Sequence, residues 1–283
     1  MDLCESRRGS DTGSNAGAEA AAARSRPLPS ATRAHRIPWA VAALSLALGT
    51  SHANDDAWLH DDLVKAAMTA RYGAAEVPPA PYCWRYIHPE YGRYCVRPLK
   101  EEWIGARGTR RLYLLADGVP MRADGTIDPS PAHVLPGLVG AFLVTVEASG
   151  KPKFVAGTDA FMFGSFGESG AFEARFVKVG SDYHAWVFSS GGTWQGVSVG
   201  WYHILAPHAD RFVDLSKIPT IREEDQAHRY SIEFVPAPSH VYALTVTQLS
   251  DAADTKPRRF VVPFNYRHWR YEMPRGPSTA GEL

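Results

Sequence analysis

The sequence predicts a mainly β protein: an antiparallel β-sandwich or barrel-like domain with a short N-terminal helix. Three observations lead to this fold class. Runs rich in Val, Ile, Phe and Tyr recur every ten to fifteen residues or so, and Gly, Asp or Pro turns separate them. No alternation of strands with helices occurs, which disfavours a parallel sheet. No repeat of fixed period is found, which counts against a solenoid or a propeller.

The composition is that of a globular protein. The chain has 283 residues, of which 45% are hydrophobic, and 30 Lys and Arg residues balance 30 Asp and Glu residues. This is too apolar for a disordered protein and too neutral for a nucleic-acid-binding one. We therefore expect no nucleic-acid partner.

The N-terminal region has the pattern of a secretory signal. Residues 33–53 contain a basic stretch, an apolar run of about ten residues and a small-x-Ala end formed by Ser51 and Ala53. The apolar run is well short of the ~20 residues of a spanning helix, so we expect cleavage before Asn54 and no membrane span afterwards. Residues 1–32 are predicted to be a disordered leader or the product of a misassigned start codon.

Two cysteines remain after the predicted cleavage, Cys83 and Cys95. An even pair in an exported chain predicts a disulfide, here closing the loop 83–95. Beyond residue 53, Arg outnumbers Lys by 17 to 7, which suggests GC-rich codons and a Gram-negative bacterium as the source. The predicted location is the periplasm or the extracellular space.

Beyond the signal, the sequence predicts a helical arm, 54–76, and one β-rich domain, 77–283. Residues 77–98 are expected to form a Pro- and Tyr-rich loop pinned by the disulfide. The arm carries an apolar face and should end at Gly73: the face consists of Leu59, Leu63, Ala67 and Met68. The predicted strands are 111–115, 138–146, 172–179, 183–189, 197–205, 230–235, 241–249 and 260–266.

One motif suggests nucleophilic catalysis. Gly196, Ser198 and Gly200 match the G-x-S-x-G nucleophile elbow, and Asp214 and His228 follow in the order of a triad. The elbow needs a sharp turn from a strand into a helix. Because β-type residues follow Ser198, the sequence favours a plain strand with two glycines.

No local pattern indicates a metal or a carboxylate pair. The histidines have no His-Glu-x-x-His or comparable spacing, so we expect no metal and no other cofactor. A glycosidase needs two carboxyls within about 5–10 Å of each other. Asp214 and Glu224 are the acids that a hydrolase of this kind would use, but the sequence cannot pair them.

The aromatic residues are the most informative feature. All 12 Tyr, all 12 Phe and seven of the eight Trp lie beyond residue 53. Rigid rings among polar neighbours are typical of surfaces that bind sugars or proteins, although they can instead pack over a sheet edge. The candidate binding residues are Trp84, Tyr86, Tyr91, Tyr94 and Trp194.

Residues 183–196, with the sequence YHAWVFSSGGTWQG, resemble a segment of uncharacterised exported bacterial proteins, where a strand similar to residues 201–207 follows. The resemblance implies an exported, β-rich protein. It implies no catalytic residue, because that family has no assigned activity.

These observations predict an exported, non-catalytic protein that binds a saccharide, a cell-wall fragment or another protein through aromatic loops. Two alternatives stay open. One is a cell-envelope hydrolase of the serine or carboxylate type, which would use Ser198 or acids such as Asp214 and Glu224. The other is a purely structural envelope protein, whose aromatic residues would all be buried.

Overall fold

The computed structural model describes residues 53–75, 82–105, 109–147, 152–252 and 255–273, with the side chains of the first helix described from residue 61 onward. The predicted leader 1–32, nearly all of the predicted signal peptide 33–53 and the side chain of Leu59 lie outside this part of the chain.

The described residues are mainly strands. One helix, α1, spans Ala53–Tyr72, and a short 3₁₀ helix spans Ala171–Glu173. The strands are β1 Trp84–His88, β2 Gly92–Ile104, β3 Thr109–Pro120, β4 Gly137–Glu147, β5 Pro152–Phe163, β6 Arg175–Gly180, β7 Tyr183–Trp194, β8 Val197–His208, β9 Arg211–Asp214, β10 Ser216–Lys217, β11 Pro219–Ile221, β12 His228–Val235, β13 Ala243–Ser250, β14 Arg258–Val262 and β15 Tyr271–Glu272. This confirms the predicted fold class.

Three antiparallel sheets carry the fold. The first sheet has the order β1-β2-β3-β4-β5, so each strand pairs with its neighbour in sequence. The second sheet has the order β11-β8-β7-β6, and β9 also pairs with β8. The third sheet has the order β12-β13-β14, and the short strands β10 and β15 pair in parallel. Sequential hairpins account for most of these pairs.

The sheets are layered, and each layer is joined to the next by a buried core. Between the first and second sheets, residues such as Leu143 of β4 and Leu205 of β8 belong to one buried cluster. The opposite face of the second sheet packs against the third sheet, where residues such as Val187 of β7 and Val246 of β13 belong to one buried cluster. The second sheet is therefore covered on both faces, which explains its long apolar runs.

The burial of strand β4 explains the continuous apolar run that predicted a strand over residues 138–146. It is buried on both faces, with Phe142 turned towards α1 and Val139 and Leu143 turned towards the second sheet. Alternate side chains of a strand point to opposite faces, so both sets must be apolar here.

Helix α1 packs on the outer face of the first sheet and ends as predicted. Gly73 has a φ of 82°, and its N–H donates to the carbonyl of Thr69 at 2.9 Å. The last turn is tied to β5, because Arg71 Nε donates to Asp159 Oδ1 at 2.7 Å and the Tyr72 hydroxyl donates to the Asp159 carbonyl at 2.7 Å. Within the described residues, no helix has the length and apolar character needed to cross a membrane.

The prediction of a loop over residues 77–98 was wrong from Trp84 onward, where the chain forms the β1–β2 hairpin. In the turn of this hairpin, His88 Nδ1 accepts the N–H groups of Glu90 and Tyr91. Tyr, Trp and Ile favour strands, and this propensity outweighs the prolines around them. Cys83 and Cys95 lie at disulfide distance, with Cα atoms 5.4 Å apart, so the predicted pair closes a hairpin rather than a loop.

The packing of α1 predicts the effect of a buried substitution. Met68 is fully buried between α1 and the first sheet, whereas Lys65 on the same helix is exposed. We expect Met68→Ala to lower the free energy of unfolding by about 2–4 kcal/mol, because it leaves a cavity. The matched variant Lys65→Ala should change it by less than about 0.5 kcal/mol. Urea unfolding followed by circular dichroism measures both, and equal effects would contradict the placement of the helix.

Candidate active site

Strands β7, β8 and β9 bring a serine, a histidine and an aspartate to one face of the second sheet. In the β7–β8 ladder Ser190 lies opposite Trp201, and His203 lies two residues further along β8. In the β8–β9 ladder Asp214 lies opposite Leu205, again two residues from His203. Side chains two residues apart share a face, and diagonal neighbours in a ladder are within reach. The three residues therefore form a diagonal row.

The row is a continuous chain of hydrogen bonds. Ser190 Oγ lies 2.7 Å from His203 Nε2, and His203 Nδ1 lies 2.8 Å from Asp214 Oδ2. The other carboxylate oxygen, Asp214 Oδ1, accepts the N–H groups of Ile204 at 3.1 Å and Ser216 at 3.0 Å. Backbone N–H groups thus fix Oδ1 of Asp214, and Oδ2 orients the imidazole of His203.

The partners determine which imidazole nitrogen carries the proton. An ionised carboxylate only accepts hydrogen bonds, so Nδ1 of His203 must donate to Asp214. In a neutral imidazole Nε2 is then an acceptor, and it receives the hydroxyl proton of Ser190. This arrangement matches the roles of a nucleophile, a general base and an orienting acid.

The histidine is shielded from water and the serine is not fully buried. His203 is only 7% exposed, and the ring of Phe163 covers it with a centroid distance of 3.8 Å. The ring of Phe188 lies 5.1 Å from it on the same face of the sheet. Ser190 is half-buried. Electrostatic interactions are stronger in such a site than in water.

Two surface depressions meet at Ser190, and both are also lined by Gly191. The aromatic depression, about 410 Å³, is lined by His133, Val134, Phe166, Trp194, Val197 and Trp201, among others. The acidic depression, about 430 Å³, includes Ser165, Phe166, Glu168, Phe172, Glu173 and Thr220 in its lining. Volumes of this size are typical of small-molecule sites.

A glycine-rich loop, residues 164–170, contributes lining residues to both depressions. Gly164, Gly167 and Gly170 all have φ values between 71° and 76°. At Gly170 a Cβ would also collide with the carbonyl oxygen of Ser189, next to the candidate nucleophile. Glycine is required where the backbone has this conformation and comes this close. The loop therefore lies closer to Ser190 than it could if residue 170 carried a side chain.

A half-buried aspartate anchors this loop. Ser169 Oγ donates to Asp117 Oδ1 at 2.6 Å and accepts the N–H of Ala171 at 3.2 Å. Burial raises the pKa of Asp117 above its ordinary value, and the hydrogen bond from Ser169 and the charge of Arg97 partly offset this. Because burial disfavours the charged form, holding the loop costs more free energy when the Asp117 carboxyl is ionised than when it is protonated.

Two of the five predicted binding residues are not available to a ligand. Trp84 is 2% exposed and its Nε1–H donates to Thr69 Oγ1 at 3.2 Å. Tyr94 is fully buried and its hydroxyl donates to the carbonyl of Pro136 at 2.9 Å. Both rings pack in the core between α1 and the first sheet. Their position on a predicted loop suggested exposure, but they lie on the inner face of the β1–β2 hairpin.

The other three predicted binding residues are at least partly exposed, but they lie on different elements of the fold. Tyr86 and Tyr91 are half-buried in the β1–β2 hairpin and both contact His88, at centroid distances of 6.5 and 4.9 Å. Trp194 is 52% exposed at the end of β7 and packs edge-on against His133 at 4.3 Å. Only Trp194 among the five lines a depression that reaches Ser190.

The G-x-S-x-G motif begins at the turn residue Gly196, continues into β8 and forms no nucleophile elbow. Gln195 and Gly196 both have positive φ, 48° and 84°, as a two-residue turn between β7 and β8 requires. Ser198 Oγ shares a hydrogen bond with Thr193 Oγ1 at 2.9 Å, and the backbone of Ser198 is bonded to the Gln226 side chain. The interpretation of this motif as a strand is confirmed.

The other predicted acids and histidine have described partners other than Ser198. His228 Nδ1 lies 2.6 Å from Asp225 Oδ1, and Glu224 is exposed with Arg222 3.8 Å away. Asp214 is hydrogen-bonded to His203. In the part of the chain that the structure describes, no group of three or more His, Cys, Asp or Glu residues could hold a metal.

Sequence reasoning missed Ser190 and His203, although a signal for them existed. They are 13 residues apart, a spacing that matches no catalytic motif. If Gln195 and Gly196 are taken as a two-residue turn, however, antiparallel pairing places Ser190 opposite Trp201 and diagonal to His203. The turn, and not the motif around Ser198, was the informative feature.

The raised pKa of Asp117 predicts an unusual pH dependence of stability. A pKa that is raised on folding means that the folded state binds the proton more tightly, so this contribution to stability is present at low pH and lost as the pH rises through the folded pKa. We therefore expect Asp117→Asn to gain free energy of unfolding relative to the parent chain as the pH rises from about 3 to about 7.

Asp124→Asn is the matched control with the opposite sign. The pKa of Asp124 is lowered because its carboxylate accepts the backbone N–H and the hydroxyl of Thr126. This variant should lose stability relative to the parent over the same pH range. Urea unfolding at several pH values measures both, and a constant offset for Asp117→Asn would contradict the raised pKa of Asp117.

Comparison with protein-family models, with curated proteins and with solved structures finds no match to this chain. The proposed relation to uncharacterised exported bacterial proteins therefore stays a prediction. The geometry of Ser190, His203 and Asp214 is the basis on which a function can be assigned.

Proposed function

We propose that this chain is an exported serine hydrolase that cleaves an acyl bond, with Ser190 as nucleophile, His203 as general base and Asp214 as the group that orients the base. The observation that supports it is the unbroken chain of hydrogen bonds from Ser190 Oγ through His203 to Asp214. The sequence favoured a non-catalytic binding protein and kept a serine hydrolase as its alternative. The proposal adopts that alternative with a different serine.

The reaction follows from the hydrogen bonds. Ser190 Oγ attacks the carbonyl carbon of the substrate while its proton passes to His203 Nε2. The resulting imidazolium is stabilised by Asp214, whose Oδ2 accepts the Nδ1–H. When the tetrahedral intermediate collapses, the bond to the leaving group breaks and His203 returns the proton to that group. Water then attacks the acyl-enzyme by the same route and regenerates Ser190.

The surroundings of the triad favour this chemistry. Phe163 and Phe188 keep water away from the imidazole of His203, and a dry site strengthens its bond to Asp214. Asp214 Oδ1 is already bonded to two backbone N–H groups, so the carboxylate has a fixed orientation before substrate binds. Ser190 is the member of the row that faces the two depressions.

A second candidate function is binding without catalysis. The supporting observation is the aromatic surface around Trp194, which is exposed and rests on His133. A saccharide, a cell-wall fragment or a protein segment could stack on such a surface. In that case the chain from Ser190 to Asp214 would only stabilise the second sheet, and removing the Ser190 hydroxyl would leave ligand binding intact.

Export to the periplasm or the extracellular space is part of the proposal. It is supported by the signal pattern of residues 33–53 and by the Cys83–Cys95 pair at disulfide distance. Expression of the full chain in a Gram-negative host tests it: the periplasmic protein should begin at Asn54 and contain no free thiol. Recovery of the uncleaved chain from the cytosol would contradict export.

The test of catalysis is a pair of serine variants of the purified protein. With 4-nitrophenyl acetate as substrate, Ser190→Ala should lower kcat/KM by at least about 100-fold, because the nucleophile is lost. Ser198→Ala is the matched control and should keep most of the activity. Asp214→Asn should also lose at least about 100-fold, since it favours the wrong imidazole tautomer.

The activities of the two serine variants show which serine is the nucleophile. Undiminished hydrolysis by Ser190→Ala, or loss of activity in Ser198→Ala, would contradict the assignment of the nucleophile. Circular dichroism of each variant shows whether it retains the parent fold, so that lost activity is not mistaken for unfolding.

A further inference from the structure

We infer that the substrate of this site is a neutral or cationic acyl compound that carries an aromatic ring, and that the ring packs in the aromatic depression beside Ser190. The inference rests on the proposed function and names the substrate class for the same site.

Exposed apolar side chains are concentrated around Ser190. The described residues include twelve large hydrophobic side chains that are exposed, and five of them line the two depressions that meet at the serine: Val134, Phe166, Phe172, Trp194 and Trp201. Scattered exposed apolar residues need no explanation, but a contiguous group of them marks a binding site. A group that surrounds a nucleophile is suited to hold the apolar part of its substrate.

The rings are held in place before any ligand binds. His133 packs edge-on against Trp194, with ring centroids 4.3 Å apart, and lies 6.0 Å from the ring of Phe166. Phe166 has a φ of 54°, a conformation that is unfavourable for a residue with a side chain and that often occurs at functional sites. A surface that is already ordered loses little entropy when an aromatic group packs on it.

The two depressions differ in charge. No Asp, Glu, Lys or Arg is among the described residues that line the aromatic depression. The acidic depression is lined by Glu168 and Glu173, both exposed, and by no described Lys or Arg. An uncharged ring therefore suits the first, and a cationic or hydroxylated group suits the second. A carboxylate on the substrate would be repelled by the two glutamates.

The position of Ser190 between the depressions fixes how such a substrate would lie. Because Ser190 lines both, a carbonyl carbon at its Oγ would have the ring on one side and the polar group on the other. Each depression has a volume of about 400 Å³, which suits a small molecule rather than the extended surface of a protein partner.

The first experiment compares two sulfonyl fluorides that differ only by a phenyl group, phenylmethanesulfonyl fluoride and methanesulfonyl fluoride. In each case Ser190 Oγ attacks sulfur, the S–F bond breaks, fluoride leaves and the hydroxyl proton passes to His203. The ratio of the two second-order rate constants for modification of Ser190 measures the preference for a ring. Comparing this ratio between variants cancels the intrinsic reactivities of the reagents.

We expect Trp194→Ala to lower this ratio about fivefold or more, because the ring loses its main packing partner. Tyr82→Ala is the matched control: Tyr82 is about as exposed as Trp194 but lines neither depression at Ser190, so its removal should leave the ratio unchanged. An unchanged ratio in Trp194→Ala, together with normal modification of Ser190, would overturn this inference and leave the proposed function intact. Failure of both reagents to modify Ser190 would overturn the proposed function as well.

The second experiment tests the charge preference by protection. At equal concentration, 3-phenylpropylamine should slow modification of Ser190 at least about fivefold more than 3-phenylpropanoate, which has the same ring and the opposite charge. The double variant Glu168→Gln, Glu173→Gln should abolish this difference, because the acidic lining is gone. Equal protection by the two compounds in the parent chain would overturn the assignment of a neutral or cationic substrate.

Discussion

The register of the β7–β8 hairpin is the constraint on which the rest of the structure depends. The two-residue turn at Gln195 and Gly196 pairs Ser190 with Trp201 and sets every later pair of the ladder. A slip of one residue would move each side chain to the opposite face of the strand. Both cores that cover the second sheet would lose their apolar residues, and Ser190 and His203 would point to different faces. The same turn thus determines the packing of three layers and the geometry of the candidate site.

Much of the fold could be predicted from local patterns, and the errors arose where distant contacts outweigh them. Strand β4 was visible because it is apolar on both faces, and the end of α1 was visible because Gly73 takes a positive φ. The strand predicted at 111–115 instead continues through Asp117 and Gly118, because β3 spans Thr109–Pro120. A hydroxyl 52 residues away, that of Ser169, satisfies the Asp117 carboxylate there. No local sequence rule contains that information.

The site was only partly predictable, for a related reason. Asp214 was among the candidate acids because it follows Ser198 in the order of a triad, and Trp194 was among the candidate binding residues because it is aromatic. Ser190 and His203 become neighbours only once β7 and β8 are paired around the turn at Gln195 and Gly196, so their spacing in sequence does not by itself identify them. Trp84 is aromatic and near polar residues, as a binding residue would be, yet it is buried. Composition does not tell which face of a hairpin a ring occupies.

Reaction of the purified chain with a fluorophosphonate, followed by peptide mapping with mass spectrometry, tests the central claim most directly. Such a reagent modifies a serine whose hydroxyl is activated by a neighbouring base, and unactivated serines react far more slowly. The hydrogen bond between Ser190 Oγ and His203 Nε2 predicts a single phosphonylated peptide that contains Ser190. A chain that remains unmodified, or that is labelled at Ser198 or another serine instead, would contradict the account.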